Sequence, residues 1–433
     1  MLALNKEKTR RLNEIALPLI VQNLSGMTII TADKAIIGRI SPEAFNAVGV
    51  VGGLFFLLVG VLGFVSVQFN IFGGKALGLD DEDGFRDYFS SVLLLNVIIG
   101  VLLMAGILLF ITPILSVLYG LYSETLYLAQ AYANIMIIYF PIQLLLFSFS
   151  ALLKIKRKTK WIMIVSLSAA LVNLLLDFIF IAWLGFGIRV AAMTNIVAVT
   201  LHLLTFLWIC RKELSFSMAK LKNYCSKMTE ILKHSLPLMG QDILEGSVFT
   251  VVLVAFIARI SDYHLAAYFV LVQFMGIALI PSYMYGSAVL NLLSQASGEN
   301  DKSLIPKTAT TLAGGIYLVL GVLFVMLRNY LPAVITDNVY VIGIAGSFMI
   351  FIVAARFFEV SANVYRYALQ TLGESKFVLY LAAVVNTITV ILMFIFVQVL
   401  EMGLHGAFIC LFINHVTIFA FHKVRYKKII SCP

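Results

Sequence analysis

The sequence predicts an all-α integral membrane protein: twelve transmembrane helices in two six-helix bundles, related by a pseudo-two-fold axis along the membrane normal. Three observations predict it. The composition is too apolar for a chain that faces water, apolar runs of spanning length recur twelve times, and the second half repeats features of the first. Of 433 residues, 61% are hydrophobic and only 12% charged, with mean hydropathy +1.00. A soluble domain carries about 25% charged residues. A disordered chain, a disulfide scaffold and a cytosolic enzyme are therefore excluded, and the four cysteines have neither CxxC nor Cys/His spacing that would signal a disulfide framework or a zinc site.

The elements follow in chain order. The polar start MLALNKEKTRRLNE leads into an apolar run without a small-residue cleavage site, which makes that run a first span rather than a removed signal peptide. A helix needs about 20 apolar residues to cross the bilayer. Runs of that kind cover 15–37, 47–73, 89–119, 126–153, 161–184 and 189–210, then 235–258, 265–296, 309–335, 339–370, 377–400 and 404–422. An even number of spans puts both termini on one side. Of the 31 Lys and Arg residues, 24 fall on that side, four (Arg39, Arg189, Arg259 and Arg328) on the other, and Lys34, Arg356 and Arg366 lie inside spans. By the positive-inside rule the termini are cytoplasmic, in a multi-pass protein of the plasma (inner) membrane. The net charge of +9 is accounted for by this loop asymmetry and predicts no nucleic-acid partner.

The basic connection 211–233 separates six spans from six, giving an N-terminal lobe 1–210, a cytoplasmic linker 211–233 and a C-terminal lobe 234–433. The halves align. Ala16-Leu17-Pro18-Leu19-Ile20 matches Ser235-Leu236-Pro237-Leu238-Met239, and Arg39-Ile40-Ser41 matches Arg259-Ile260-Ser261. Further along, Gly78 falls opposite Gly298, Asp81 opposite Asp301, Asn173 opposite Asn386 and Gly187 opposite Gly403. Two units with an even number of spans insert in the same direction, which is the parallel-repeat plan of an alternating-access transporter.

Acids at membrane depth are expensive and mark function by default, at about 2.5–3.5 kcal/mol or more each. Five stand out: Asp33 in the first span, Asp177 in the fifth, Asp242 and Glu245 in the seventh, and Glu359 in the tenth. Asp177 follows Asn173 by four residues, so both share a helix face. A carboxylate beside an amide suits a sodium ion or a proton equally, and the pair could also simply tie neighbouring helices together. Asp242 and Glu245 share a face and would couple their titration. Glu359 has Arg356 one turn away, a self-neutralising arrangement.

Pro18, Pro141, Pro237 and Pro281 lie within spans, where each frees a carbonyl and permits a hinge or a static kink. Tyr139, Tyr268, Tyr283, Tyr285, Tyr365 and Tyr367 are candidates to line a cavity by cation-π contact. No GxxxxGK[ST] phosphate loop and no HExxH occur, and His202, His264, His405 and His415 are scattered, so neither an ATP-driven pump nor a membrane-embedded enzyme is indicated. The glycine, acid and basic signature of a major-facilitator transporter is missing from GGKALGLDDEDGFRDY.

Leu17-Pro18-Leu19-Ile20 followed by Asp33 and Ile37-Gly38-Arg39, the segment NLLLDFIFI before Gly185 and Gly187, and Pro237 with Glu245 together resemble the multidrug and toxin extrusion (MATE) family of the wider flippase superfamily. The resemblance covers nearly the whole chain. It implies a MATE-like fold and a cation-driven antiporter that expels organic, often cationic or amphipathic compounds. In that family acids matching Asp33 and Asp177 form a proton or sodium site in the first lobe, here with Asn173, and acids at positions matching Glu245 and Glu359 serve in the second. The resemblance implies no cofactor beyond the coupling ion, and a monomer in the lipid bilayer with small-molecule substrates. This chain departs from the family in the loop Lys154-Ile155-Lys156-Arg157-Lys158-Thr159-Lys160, which lacks the usual glycines, in Lys34 after Asp33, and in Arg356 beside Glu359. A lipid-linked saccharide flippase of the same superfamily is the alternative, and an Arg-rich cavity would favour it.

Overall fold

In the computed structural model the described residues are 2–37, 42–118, 121, 123–214, 216–243, 249–296, 299–335 and 338–431; side chains at 2–5, 28, 30–35, 42, 43, 45, 46, 118, 250, 251, 255, 258, 262, 299 and 300 are likewise outside the description. All regular structure among them is helical. Lipid offers no hydrogen bonds, so each spanning segment must satisfy its backbone internally. The helices are α1 (Leu2–Ile37), α2 (Pro42–Leu62), α3 (Phe64–Gly78), α4 (Glu82–Pro113), α5 (Ser123–Met136), α6 (Tyr139–Ile155), α7 (Thr159–Asp177) and α8 (Ile188–Cys210). They continue with α9 (Leu221–Asp242), α10 (Thr250–Ala258), α11 (Asp262–Ser294), α12 (Glu299–Met326), α13 (Val339–Thr371), α14 (Ser375–Met393) and α15 (Gly403–Ser431).

Among the described residues nine helices are long and apolar enough to cross a membrane, and α5 with α6, bent by 47° at their break, makes ten when the pair is counted as one span. The first and seventh expected spans fall on α1 and on α9 with α10, where 244–248 lie outside the described residues. Leu102, Leu108, Leu109 and Phe110 are all more than half exposed on one helix, a surface only lipid would cover.

The expected break between spans differs from the observed one at three places. α1 begins at Leu2 rather than near residue 15, because the charged start is helical too, with Arg11 paired to Glu7 and Arg10 to Glu14 one turn apart. The fourth span is interrupted between Met136 and Tyr139, just before Pro141. The polar connection 211–233 is mostly helix: after short turns at Arg211–Glu213 and Met218–Lys220, α9 starts at Leu221 and runs through Pro237.

The chain separates into two compact units, Val21–Ser235 and Met1–Ile20 with Leu236–Pro433. In the first, buried Asn96 Nδ2 of α4 lies within hydrogen-bond reach of Ser66 Oγ (3.0 Å) on α3 and of Leu144 O (3.1 Å) and Ser148 Oγ (2.7 Å) on α6, and its two N–H protons are shared among these three acceptors. The 211–233 connection is pinned to the same unit. Lys220 Nζ lies 3.0 Å from Asp87 Oδ1, Asn223 donates to Asp87 Oδ2 (2.6 Å), and Tyr88 donates to Glu230 Oε2 (2.9 Å). The Asp87 carboxylate beside it pushes the Lys220 ammonium above its ordinary value.

In the second unit α11, α13 and α15 pack together. Gly286 of α11 admits the Tyr367 ring of α13: a Cβ there would stand 2.2 Å from the ring. Tyr317 of α12 donates to Val353 O of α13 (2.8 Å), and Arg425 of α15 grips Glu374 ahead of α14 through two nitrogens at 2.9–3.1 Å. The first twenty residues join this unit through Lys8 Nζ to Asp301 Oδ1 (2.8 Å) and Tyr285 OH to Asn13 Oδ1 (2.7 Å).

The repeat expected from sequence reappears as a shared irregularity. Both α7 and α14 widen at their ends into a π-helical turn, Phe178–Trp183 and Phe394–Val399. Each is followed by a glycine with positive φ, Gly185 at 72° and Gly403 at 56°. The segments FIFIAW and FIFVQV occupy these turns, so Asp177 and Met393 hold equivalent places. Only the first half carries an acid there.

Candidate functional site

Among the described residues, two groups of polar side chains border cavities, one in each unit. In the first, α7 and its π turn hold Asp177 with 1% exposure. Asn173 Nδ2, one turn earlier on α7, donates to Asp177 Oδ2 (2.7 Å), and Thr194 of α8 donates to Oδ1 (2.5 Å). The Thr194 hydroxyl also lies 2.9 Å from Ala191 O and 3.1 Å from Val190 O. It has one proton, and the charged, nearest acceptor takes it. Each carboxylate oxygen thus receives a donor, the arrangement that stabilises an ionised acid.

A cavity of about 310 Å³ adjoins this group, lined by Ile29, Tyr139, Asn173, Asn195 and His202 among others. Asn173 lines it and Asp177 does not, so the amide stands between the acid and the cavity. The buried His202 Nε2 has no hydrogen-bond partner, and its ring packs edge-on against Phe206 at 4.6 Å. The Asp33 side chain lies outside the described residues.

In the second unit a cavity of about 460 Å³ is lined by Asp242, Arg356, Glu359, Arg366 and His415, with Tyr283, Asn386 and Asn414. Arg356, Glu359, Asn363 and Arg366 recur at intervals of three and four, so α13 presents them on one face. Glu359 is held from three sides: Arg356 Nε at 3.5 Å, His415 Nε2 of α15 at 3.3 Å and Tyr283 OH of α11 at 3.4 Å. Asn414 donates to Asn386 Oδ1 and to Thr389 Oγ1, both at 2.9 Å, closing the α14 wall. Apolar Phe249, Leu253, Val272 and Leu411 complete the lining.

Of the residues singled out from sequence, the structure therefore brings Asn173 and Asp177 together, and Asp242 and Glu359 to one cavity. Glu245 lies outside the described residues. Pro18, Pro237 and Pro281 are inside continuous α1, α9 and α11, while Pro141 stands at the start of α6 beside the bend. Sequence reasoning noted Arg366, His202 and His415 without giving them a role, and missed Thr194 altogether. The α13 set carried a signal, because the row RxxExxxNxxR has a helical period. Thr194 carried none, since its partner lies 17 residues away on another helix. No group of three or more His, Cys, Asp or Glu placed to hold a metal ion occurs among the described residues.

The family model MatE matches residues 18–179 and 237–395, once in each half. Among solved structures the chain is similar to an outward-facing multidrug resistance MATE family transporter of the MOP superfamily, with TM-score 0.85, 18% identity, and 98% of this chain and 96% of that one covered. A MOP superfamily transporter from Pyrococcus furiosus, described as having a binding pocket of reverse polarity that suggests a different function, matches with TM-score 0.84 at 18% identity over 98% and 96%. A MATE structure in a straight conformation matches with TM-score 0.83 at 19% identity over 97% and 96%. No curated protein matches in sequence. These likenesses establish the all-helical fold of twelve helices in two bundles.

Proposed function

The chain belongs to the MatE family, and from that premise we propose that it is a secondary active exporter, which exchanges an incoming sodium ion or proton for organic, cationic or amphipathic compounds by alternating access. The family and the fold are those of transporters. The observation that carries the coupling is Asp177: an acid 1% exposed in a span, with a donor on each oxygen. An ion arriving from the outer side neutralises this carboxylate, and its release inside restores the charge. Moving one charge down about 100 mV supplies about 2.3 kcal/mol, so exchange drives export without ATP. Asn173 and Thr194 hold the carboxylate ready between these states, and Asp33 joins them by family resemblance.

On this reading the protein is no enzyme, needs no cofactor beyond its ion, and works as a monomer in the plasma (inner) membrane with cytoplasmic termini. The 24-to-4 Lys and Arg asymmetry supports that orientation. The lobes are 1–210 and 234–433, joined by 211–233.

The test is dye efflux from proteoliposomes under an imposed sodium or proton gradient, applied separately to the wild type and to Asp177→Asn. Efflux follows one gradient and disappears in the variant. Equal efflux from both proteins overturns the coupling assignment. One observation favours the second reading, a lipid-linked saccharide flippase: Arg356 and Arg366 both line the second cavity. That reading gains if the folded protein moves no dye under either gradient yet translocates a lipid-linked pyrophosphate.

A further inference from the structure

The turn between α6 and α7, Lys156-Arg157-Lys158 with Lys160 just after it, stands where the resemblance to the family calls for glycines. Arg157 takes a left-handed φ of 55°, a conformation that a glycine would hold without strain, so a basic residue is kept there at a conformational cost. Lys156 pairs with Glu213, just beyond α8, and this fastens the turn to the end of that helix. Lys158 lies within Coulombic range of Cys210, the last residue of α8. Two connections distant in sequence thereby form one basic patch.

Four further cations of the patch, Lys158, Lys160, Arg211 and Lys212, are exposed, and no described acid stands within ion-pair distance of them. The neighbouring acids are engaged elsewhere. Glu213 is held by Lys156, while Asp87 and Asp83 of α4 act on Lys220.

The patch adjoins a surface that lipid covers. α7 and α8 pack together, and each carries a bare apolar stripe: Ile164, Leu171 and Leu175 on α7, Val197, Leu201 and Leu204 on α8. By helical period these stripes lie on the far side of each helix from the residues that line the first-unit cavity, Ala169 and Asn173 on α7, Asn195 and Val199 on α8. At the end nearest the patch both stripes finish in an exposed tryptophan, Trp161 and Trp208, and the Arg211 guanidinium sits 5.6 Å from the Trp208 ring. Tryptophan collects where acyl chains meet headgroups. The four cations therefore stand at headgroup level, at the end of two acyl-chain tracks.

We propose that this patch binds the phosphate headgroup of an anionic phospholipid, with Lys158, Lys160, Arg211 and Lys212 around the phosphate and the acyl chains along α7 and α8. Each Lys or Arg near a membrane surface strengthens attraction to anionic lipid by roughly fivefold. A zwitterionic headgroup is discriminated against, because its ammonium meets the same cations. The inference is independent of what the protein carries, so its failure leaves the exporter reading intact.

The experiment uses the full chain with Trp183→Phe, in which the two remaining tryptophans, Trp161 and Trp208, report from the patch. This parent chain is reconstituted in phosphatidylcholine vesicles, and quenching by phosphatidylglycerol brominated on its acyl chains is compared with quenching by brominated phosphatidylcholine. The patch takes up phosphatidylglycerol at least about fivefold more readily. Lys158→Gln with Lys160→Gln removes most of that preference, and Lys158→Arg with Lys160→Arg keeps it. Lys222→Gln with Lys233→Gln, which takes the same charge from α9, leaves it unchanged. Equal quenching by the two lipids in the parent chain overturns the proposal, as does a preference that survives in Lys158→Gln with Lys160→Gln. An equal loss in the α9 variant also overturns it, since net charge alone would then recruit the lipid. One arm needs no substitution in the patch: about 1 M sodium chloride, which shortens the Debye length to about 3 Å, erases the preference of the parent chain, and its persistence there refutes binding by charge.

Discussion

Replacing Thr194 by Val tests whether the hydroxyl supports the ionised acid or holds the ion itself. The substitution keeps the shape and removes one of the two donors on Asp177, the one at 2.5 Å. A hydrogen bond to a charged group contributes about 1.5–3 kcal/mol. That converts to a factor of roughly 10 to 150 in an equilibrium constant. With the donor gone the empty, ionised site is less stable by that amount, so the neutralising ion is held more tightly. Half-activation of gradient-driven efflux in proteoliposomes therefore falls to at least tenfold lower ion concentration, while maximal turnover drops because release inside is slower. Thr194→Ser, which keeps the hydroxyl, behaves as the wild type. A half-activation concentration that rises in Thr194→Val would refute the reasoning, because it would make the hydroxyl a ligand of the ion. An unchanged value would show that the hydroxyl gives its proton to Ala191 O or Val190 O instead.

Two predictions concern packing. Gly286→Ala places a methyl 2.2 Å from the Tyr367 ring and costs about 1–3 kcal/mol, read as a lower melting midpoint in detergent; adding Tyr367→Leu recovers most of the loss, and additive effects would contradict this contact. Asn96→Leu removes the amide that ties α3, α4 and α6, at about 1–2 kcal/mol given roughly 0.6 kcal/mol or more per interhelical bond in a membrane; an unchanged midpoint would mean that Ser66 and Ser148, already 3.4 Å apart, re-pair without cost.

What the sequence by itself determined is whatever depends on local composition and on spacing within one helix. The spans, their count and the class of protein follow from hydropathy, since lipid admits a backbone only as helix. The Asn173 and Asp177 pair was legible because four residues make one turn, and the Arg356 and Glu359 pair because three nearly do. The repeat was legible as matched Pro, Arg-Ile-Ser and Asn positions, and the structure adds the paired π turns. The tertiary structure alone decided the rest. Thr194 reaches Asp177 from the next helix, and Asp242, Arg366 and His415 meet at one cavity from α9, α13 and α15. The charged start of α1 joins the second-half unit through Lys8 and Asn13. In water the apolar stripe of a helix tells which side faces the core. In lipid both the neighbour and the solvent are apolar, so hydropathy leaves the rotation of each helix about its axis undetermined, and only the packing of particular side chains sets it.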